Sequence, residues 1–477
     1  MTLILCLRQD SRYRYYDNIL EKWVNRLNRI AIIGGGITGL AAAYYAKQAG
    51  AHVTLFESQD RLGGKIKTFY RDGFTLETGP DGYMARKPTL TSLITELGLE
   101  DHLVRSKTGT SYIYVRERLR QMPAGSVMGI PTKFWPMVKT DLFTWKGKLR
   151  AGFDLVIPRV YTGEDISLDR FFRTRLGSEV VDTMIEPLLS GIYNGTLDDM
   201  SIESTFPQFI TIEQKTRSLI LGMKALTPPV QAGVKPSDTG KFLSIDQGLG
   251  VLVEALRPSI DRLELRTVVQ SVRPHEVTLA NGTSESFDGI IMATSPHALG
   301  PLLGFPEAER LSNLKRTSSM TVLAAFDEAD VDALDGTGYV IAKSEENALT
   351  ACSWMHKKWP HMAPKGKALI RMYVGSEHVP SLLHEEDHVV ATFALSELRR
   401  IQNVGTPLFT KVERHVQTMP QYEVGHQQDV RAFEEALLSW DGVEACGAIL
   451  HGVGLPDCVD SAKRAVERLQ LKQAVTV

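Results

Sequence analysis

The sequence lacks any hydrophobic run of the length that a membrane-spanning helix requires. Crossing a bilayer takes about 18 to 20 consecutive apolar residues, and no apolar run among the 477 residues approaches that length. With 43% hydrophobic and 23% charged residues, the composition is typical of a globular protein. At this length a single simple core is not expected, so we predict two or three lobes.

Cysteine is scarce, and the four that occur are scattered. Cys6, Cys352, Cys446 and Cys458 form no C-x-x-C pair, so the sequence indicates neither a zinc site nor a disulfide framework, and a reducing cytoplasm fits. The formal net charge of −2 gives no overall basis for nucleic-acid binding. We find no Ser-His-Asp set and no cluster of metal ligands, and therefore assign no metal site, no catalytic residue and no general base.

A glycine-rich turn between two strand-like runs organises the chain. The apolar, β-branched run 29–33 is typical of a buried parallel strand, and Gly34, Gly36 and Gly39 follow at G-x-G-x-x-G spacing. An alanine-rich helical stretch and a second strand ending in Glu57 come next. Such glycines permit a tight turn, the approach of a pyrophosphate and close helix packing, while the acidic residue accepts hydrogen bonds from a ribose. We therefore predict a dinucleotide site.

Two further motifs favour a flavin over a nicotinamide dinucleotide. Residues 61–65 read Arg-Leu-Gly-Gly-Lys, and residues 74–80 read Phe-Thr-Leu-Glu-Thr-Gly-Pro. The pair resembles the flavin-binding pattern of the amine oxidase and phytoene desaturase superfamily, in which these loops lie along the pyrophosphate and the flavin ring. Glycines there let a flat ring lie against backbone, and Lys65 can offset phosphate charge.

The remaining patterns predict mixed helix and strand. Apolar residues at helical spacing run over 167–189, a strand is expected over 263–272, and strand patterns dominate 320–374. The last of these suggests an antiparallel sheet that forms one wall of a substrate cavity. A glycine-rich turn at 447–454 precedes a final helix, whose N-terminus we expect near the pyrimidine end of the flavin.

Residues 113–160 differ in composition from the rest of the chain. They contain nine lysines and arginines against three acids, with aromatic and aliphatic residues interleaved. A basic segment with exposed aromatics can touch a membrane surface or an anionic, greasy ligand. The alternative is a helical lobe with solvated cations and aromatics in its core, and the sequence leaves both interpretations open.

The first 28 residues carry no motif that the rest of the chain needs. Apolar residues within 19–27 could form one face of a short helix. Either this segment packs as an accessory helix or it is a loose extension, and we favour the extension.

Matches outside the cofactor motifs make the resemblance more specific. The chain is similar to the bacterial protoporphyrinogen/coproporphyrinogen III oxidases, in particular the soluble Gram-positive type. Five stretches carry this similarity: 188–193 (Leu-Leu-Ser-Gly-Ile-Tyr), 204–209 (Ser-Thr-Phe-Pro-Gln-Phe), 358–361 (Lys-Trp-Pro-His), 419–426 (Met-Pro-Gln-Tyr with Gly-His) and 452–458 (Gly-Val-Gly-Leu-Pro-Asp-Cys). Amine oxidases and phytoene desaturases do not share these stretches as a set.

The resemblance implies a set of binding residues. FAD would be bound by Gly34, Gly35, Gly36, Ile37, Thr38, Gly39, Glu57, Ser58, Lys65, Gly79, Pro80, Asp81, Gly82, Val269, His415, Val453, Gly454 and Leu455. The porphyrinogen would be bound by Arg86, Lys87, Gly191 and Tyr193. Two positions depart from the family: His415 stands where a tryptophan is usual, and Asn194 where a small residue is common.

The resemblance also implies an α/β fold and its division into domains. A Rossmann-like FAD-binding domain of the amine oxidase type would comprise 29–82, 241–294 and 432–477. An α+β substrate domain would comprise 83–112 and 295–431, a helical lobe would span 113–222, and 1–28 would be an extension.

The implied reaction is the six-electron oxidation of coproporphyrinogen III to coproporphyrin III, with flavin N5 as hydride acceptor and oxygen reduced to hydrogen peroxide. The partners would be the porphyrinogen, oxygen, a weakly contacted membrane surface and a ferrochelatase that receives the product, but no nucleic acid. Alternatives are protoporphyrinogen IX as the main substrate, an amine oxidase or carotenoid desaturase, and a flavin-type fold that only binds, as in GDP-dissociation inhibitors.

Overall fold

The computed structural model describes residues 29–107, 110–226 and 240–475. The predicted helix face at 19–27 lies outside these residues. Two compact units are present: the first comprises 29–64, Leu252–Asn313 and the residues from Arg431 onward, and the second comprises the described parts of Lys65–Val251 and Leu314–Val430. In the described ranges, no helix is long and apolar enough to cross a membrane. The four-part division inferred from the sequence stays a prediction.

The first unit is built on a five-stranded parallel sheet. Its strand order is Arg262–Glu264, His52–Phe56, Arg29–Ile33, Gly289–Met292 and Val443–Ala445. The central strands are short, apolar and almost entirely buried, as expected of a parallel sheet covered on both faces. The helix Ile37–Gln48 packs against the final helix Leu455–Val475, and its residues Ala41, Ala42 and Ala43 are fully buried.

A small antiparallel sheet completes the first unit. It contains Val269–Arg273, Glu276–Leu279 and Ser284–Ser286. Gly282 has a φ of +85° in the turn between the last two strands, which confirms the hairpin expected at Asn-Gly. The single strand expected over 263–272 was wrong, because Glu264 ends one strand of the parallel sheet and Val269 begins a strand of the other. The remaining helices are Pro296–Leu303 and Pro306–Ser312, together with Gly250–Leu256 and His426–Leu437, in which the chain passes between the units.

The second unit is built on a seven-stranded sheet. Its order is Phe409–Pro420, Arg316–Asp327, Lys367–Val374, Leu349–Trp354, Gly338–Ile341, Ser111–Val115 and Arg118–Gln121. All neighbours are antiparallel except the pair Gly338–Ile341 and Ser111–Val115. The antiparallel sheet predicted over 320–374 is confirmed. Smaller sheets contain Thr68–Arg71 with Phe74–Glu77, Tyr83–Met84 with Phe242–Ile245 and Leu103–Arg105, and Ser126–Val127 with Ile130–Pro131.

Most helices of the second unit lie between residues 134 and 226. They are Phe134–Lys139, Trp145–Gly152, Leu168–Leu176, Ser178–Val180, Glu186–Tyr193, Ile202–Thr205, Pro207–Thr216 and Leu219–Leu226. A π-helical turn at Val181–Ile185 and a break at Gly177, whose φ is +84°, interrupt the helix expected over 167–189. The other α-helices described in this unit are Pro88–Glu96, Met355–Lys358, Val379–Leu382 and Asp387–Arg399. Short 3-10 helices lie at Glu100–His102, Phe153–Leu155, Glu328–Asp330 and Pro360–Met362.

Candidate functional site

The glycines of the first turn are required for two different reasons. Gly34 has a φ of +108°, and a Cβ added there would lie 2.4 Å from the carbonyl oxygen of Ala293. A Cβ on Gly39 would lie 1.9 Å from the carbonyl oxygen of Gly34, whereas a Cβ on Gly36 would meet no protein atom within 4 Å. Gly34 and Gly39 are thus required by the packing of the protein, and Gly36 borders open space.

Glu57 binds the glycine turn through its own carboxylate. Oε2 accepts a hydrogen bond from the backbone N–H of Gly35 at 2.7 Å. Oε1 accepts one from the N–H of Gln59 at 2.7 Å and one from the hydroxyl of Ser58 at 3.2 Å. Because each carboxylate oxygen has two lone pairs, Glu57 can hold the turn and still accept a hydrogen bond from a ribose hydroxyl.

The second glycine loop lies against the first. The N–H of Gly63 donates to the carbonyl oxygen of Gly35 at 2.8 Å. Gly64 has a φ of +56°, and a Cβ there would lie 3.1 Å from Cα of Gly36. The two glycine loops that the sequence singled out are therefore in direct backbone contact.

Two more predicted flavin positions lie at strand and helix ends of the first unit. Val269 begins its strand two residues after Thr267, whose N–H donates to the carbonyl oxygen of Glu57 at 2.9 Å. Val453 and Gly454 precede the final helix, which begins at Leu455.

The first unit fits the dinucleotide part of FAD. The helix Ile37–Gln48 begins after Gly36, without a side-chain cap and without an acidic residue in its first turn. Its N-terminal N–H groups and the positive end of its dipole can therefore bind a pyrophosphate. Open space beside Gly36 provides room for that group, and Ile37, Thr38 and Gly39 supply the first turn of the helix.

In the second unit, the glycines of the predicted flavin turn are packed against backbone. A Cβ on Gly79 would lie 1.8 Å from the carbonyl oxygen of Lys65, and one on Gly82 would lie 2.7 Å from that of Leu243. Nζ of Lys65 donates to the carbonyl oxygen of Thr418 at 2.6 Å. Gly79 and Gly82 are therefore required by close packing against the backbone of the protein itself. Between them, Pro80 is half-buried.

Asp81 is held by two neighbours on the segment 358–359. Nζ of Lys358 lies 2.7 Å from Oδ2 of Asp81, and the indole N–H of Trp359 donates to the same oxygen at 3.0 Å. Burial raises the pKa of Asp81, but Lys358 and Arg371 outweigh it and lower the pKa to about 2. Asp81 is therefore a permanent anion within the turn 78–82.

The carbonyl oxygen of Thr78, directly before Gly79, has two side-chain partners. Nη2 of Arg371 donates to it at 3.2 Å, and Nε2 of His415 lies 3.3 Å from it. Burial lowers the pKa of His415, with a smaller opposing effect from the contact with Thr78. A neutral His415 that donates Nε2–H to this carbonyl fits both observations.

The four predicted porphyrinogen residues occupy different surroundings. Arg86 is exposed, and Lys87 is half-buried just before the helix Pro88–Glu96. Gly191 is exposed. Tyr193 is 5% exposed and packs with the rings of Tyr422 and Phe206 at centroid distances of 5.5 and 6.0 Å. Their part in substrate binding stays a prediction.

The departure at Asn194 has a conformational reason. Asn194 ends the helix Glu186–Tyr193 in the left-handed conformation, with φ 51° and ψ 45°. Asparagine tolerates this conformation better than most residues. Its side-chain N–H donates to the carbonyl oxygen of Ser318 at 2.7 Å, which ties the helix end to the long strand of the sheet.

Sequence reasoning missed Arg371 and Glu77 as members of this region. Glu77 is fully buried. Its Oε1 accepts hydrogen bonds from the N–H of Leu249 and from the hydroxyl of Thr68, at 2.5 and 2.9 Å. A signal for both was present in the sequence, since Glu77 and Arg371 each stand among apolar residues of a strand pattern. Charged residues are seldom fully buried unless they have a specific role, so such positions could have been marked as candidates.

Comparison with known proteins assigns the family. Residues 37–470 match the family described as flavin containing amine oxidoreductase. The coproporphyrinogen III oxidase of Bacillus subtilis (strain 168) is 43% identical over 459 residues, which cover 92% of this chain and 97% of the relative. The enzyme of the same name from Staphylococcus aureus is 38% identical over 461 residues, or 92% of this chain and 98% of the relative.

A solved structure has a similar fold over nearly the whole chain. A crystal structure from Exiguobacterium sp. 255-15, provisionally assigned as a protoporphyrinogen oxidase, has a TM-score of 0.83 and 38% sequence identity, and covers 94% of this chain and 99% of that chain. The expected α/β, Rossmann-like FAD-binding fold and the FAD cofactor are confirmed. The chain belongs to the flavin containing amine oxidoreductase family and is an FAD-dependent oxidoreductase.

Proposed function

We propose that this enzyme oxidises coproporphyrinogen III to coproporphyrin III, with oxygen as the electron acceptor and hydrogen peroxide as the second product. The main support is the Bacillus subtilis coproporphyrinogen III oxidase, which is 43% identical along nearly the full length of both chains. The similarity extends over both units. It therefore covers the residues predicted to bind the porphyrinogen as well as those predicted to bind FAD.

The reaction removes six hydrogen atoms from the macrocycle in three two-electron steps, and each step reduces one oxygen molecule to hydrogen peroxide. FAD, when bound, supplies the hydride acceptor and the route of electrons to oxygen. The protein contributes binding and orientation. Three oxidations at one cofactor require that different bridges of the macrocycle reach the same position in turn, so the substrate must rotate or tautomerise within the site.

The roles of individual residues follow from their chemistry. Gly34–Gly39 and Glu57 would hold the pyrophosphate and ribose of FAD, as their geometry in the first unit allows. Arg86 and Lys87 would bind propionate arms by charge-assisted hydrogen bonds. The half-buried position of Lys87 makes it the better candidate, because a cation shielded from water binds a carboxylate more strongly than an exposed one does.

Protoporphyrinogen IX is the second candidate substrate. The Exiguobacterium structure is provisionally assigned to that activity, and the chloroplastic protoporphyrinogen oxidase of Nicotiana tabacum is 28% identical over 466 residues. The two substrates share the macrocycle and differ in their side chains, four propionates against two. Cations that contact the additional propionates therefore determine the preference.

We also propose a weak contact with an anionic bilayer surface. Trp145, Leu149 and Phe153 follow at i, i+4 and i+8 and are 66%, 68% and 57% exposed, and Trp135 is 67% exposed. Such apolar stripes are normally buried. Exposed lysines, including Lys139 and Lys146, lie on the same segment and complement anionic headgroups. Flotation with phosphatidylglycerol vesicles tests this contact, and loss of binding in a Trp145→Ser, Leu149→Ser double variant is expected.

We further propose that the product passes to a ferrochelatase and that the enzyme works in the cytoplasm. When enzyme that carries bound coproporphyrin III is mixed with purified ferrochelatase, the porphyrin should reach the ferrochelatase faster than it exchanges with the bulk buffer.

The substrate assignment itself is tested by aerobic assay of coproporphyrinogen III and protoporphyrinogen IX side by side, with porphyrin fluorescence and hydrogen peroxide measured together.

A further inference from the structure

One face of the seven-stranded sheet changes from apolar to polar along its length. At one end Leu323, Ala325, Leu369 and Phe409 form part of a hydrophobic cluster. Successive residues of a strand point to opposite faces. The strand register therefore places several polar side chains on the same face as this hydrophobic cluster. The register pairs Thr321 with Tyr373 and with Glu413, Leu323 with Arg371, and Ser319 with His415.

Arg371 is the most deeply buried cation of this polar group. It is 5% exposed. Nη2 donates to the carbonyl oxygen of Thr78 at 3.2 Å, and Cζ lies 5.0 Å from the ring centroid of Tyr373. Nε is buried and has no hydrogen-bond partner among the described residues. A buried guanidinium is costly unless a negative charge compensates it.

The neighbouring acids do not supply a carboxylate hydrogen bond to Arg371. Asp81 is bound by Lys358 at 2.7 Å, and Glu413 is paired with Lys67 at 3.1 Å. Glu77 is buried, and its hydrogen bonds go to Leu249 and Thr68. Two cations, Lys358 and Arg371, influence one permanent anion, Asp81. Arg371 also acts on Glu77, but burial raises the pKa of that carboxyl to about 7, so the positive charge near the turn that begins at Thr78 is offset only in part.

We propose that Arg371 is a positioning residue of the turn 78–82 and that its buried charge favours the reduced, anionic state of the flavin. The proposal rests on the proposed function and on the family resemblance, which implies that this turn borders the flavin ring. The hydrogen bond to Thr78 fixes the backbone before Gly79. The guanidinium then acts on the ring as a fixed charge in a region of low dielectric, where a single charge has a large effect on a redox equilibrium.

The test is the redox balance of the bound flavin, measured without porphyrinogen. The protein is purified with FAD and reduced slowly in the presence of a reference dye. At a fixed dye potential, Arg371→Met should lower the ratio of reduced to oxidised flavin by roughly tenfold, the effect of about 1.4 kcal/mol. Arg371→Lys, which keeps the charge, should stay close to the wild type. FAD content should be unchanged in both variants.

Arg414→Met is the matched control. Arg414 lies in Phe409–Pro420, two strands away in the sheet from the strand of Arg371. It is next to His415 and therefore on the opposite face, and it binds Asp387 of the helix Asp387–Arg399. Removal of this charge should leave the ratio unchanged. If Arg371→Met loses flavin or fails to fold, Arg371→Gln replaces it, because glutamine keeps a donor for Thr78 without the charge.

An unchanged ratio in the uncharged Arg371 variant that retains flavin would overturn the proposal, as would an equal fall in Arg414→Met. The proposed function fails separately: a wild-type enzyme that binds FAD but oxidises neither porphyrinogen would refute the substrate assignment and leave the redox comparison intact.

Discussion

Glu57 and Gly35 are joined by a hydrogen bond of 2.7 Å between a carboxylate oxygen and a backbone nitrogen. The contact connects the carboxyl ends of two adjacent parallel strands, because Glu57 follows His52–Phe56 and Gly35 follows Arg29–Ile33. The residue predicted to bind ribose therefore also fixes the turn predicted to bind pyrophosphate. Loss of Glu57 should consequently disturb both parts of the dinucleotide site.

The first prediction concerns Gly36. The space beside it is open and its φ of −72° is accessible to any residue, so Gly36→Val should fold normally. It should nevertheless purify with little or no FAD, because the valine side chain would occupy the space of the pyrophosphate. Absorbance at the flavin bands and release of FAD on denaturation measure the loss. Gly152→Ala, at a helical glycine that also borders open space, should keep its flavin.

Much of the first unit was predictable from the sequence, whereas contacts between distant parts of the chain were not. The order strand, glycine turn, helix, strand, Glu57 is local, so its spacing was enough to indicate a dinucleotide site, and the family resemblance supplied the rest of the fold. The packing role of Gly79, in the second unit, was not predictable from the sequence, because it depends on the carbonyl oxygen of Lys65, which a hairpin brings close. Arg371 acts on Thr78 across 293 positions of the chain, and such tertiary contacts leave no local pattern.

The second prediction concerns the buried cluster of Arg175, Asp154 and Glu213. All three side chains are fully buried, and Arg175 contacts Asp154 at 2.6 Å and Glu213 at 2.9 Å. Arg175→Met would leave two buried carboxylates without their cation, which costs about 3–5 kcal/mol. A fall in melting temperature should follow. Arg173→Met, which removes a more exposed cation paired with Asp169, should cost about 1 kcal/mol or less. Similar melting temperatures for the two variants would contradict this.

The third prediction concerns the pH dependence of stability. Burial raises the pKa of Glu77 to about 7, against a smaller lowering by its bonds to Leu249 and Thr68. A raised folded-state pKa favours the protonated folded protein, so this contribution is fully present below the ordinary pKa and is lost as pH rises through about 7. Glu77→Gln removes the titration and can keep the acceptor oxygen. Its melting temperature, relative to wild type, should therefore rise between pH 5 and pH 8; an offset that is the same at both pH values would refute the assignment.

The fourth prediction concerns Lys87. If it binds a propionate shielded from water, Lys87→Ala should raise KM for coproporphyrinogen III by roughly tenfold, since each 1.4 kcal/mol is about tenfold. FAD content should not change. Lys107→Ala serves as a control for the loss of a lysine elsewhere in the second unit. Steady-state kinetics with both porphyrinogens decide the matter, and an unchanged KM for the substrate with four propionates would remove Lys87 from the site.

The most direct test of the account is the aerobic oxidation of coproporphyrinogen III by the purified, flavin-loaded wild-type protein. Porphyrin fluorescence and hydrogen peroxide are measured in the same reaction, with protoporphyrinogen IX in parallel. We predict three molecules of peroxide for each coproporphyrin III formed, and a higher kcat/KM for coproporphyrinogen III than for protoporphyrinogen IX. A yellow, FAD-containing protein that forms no coproporphyrin III above the uncatalysed rate would contradict the proposed function.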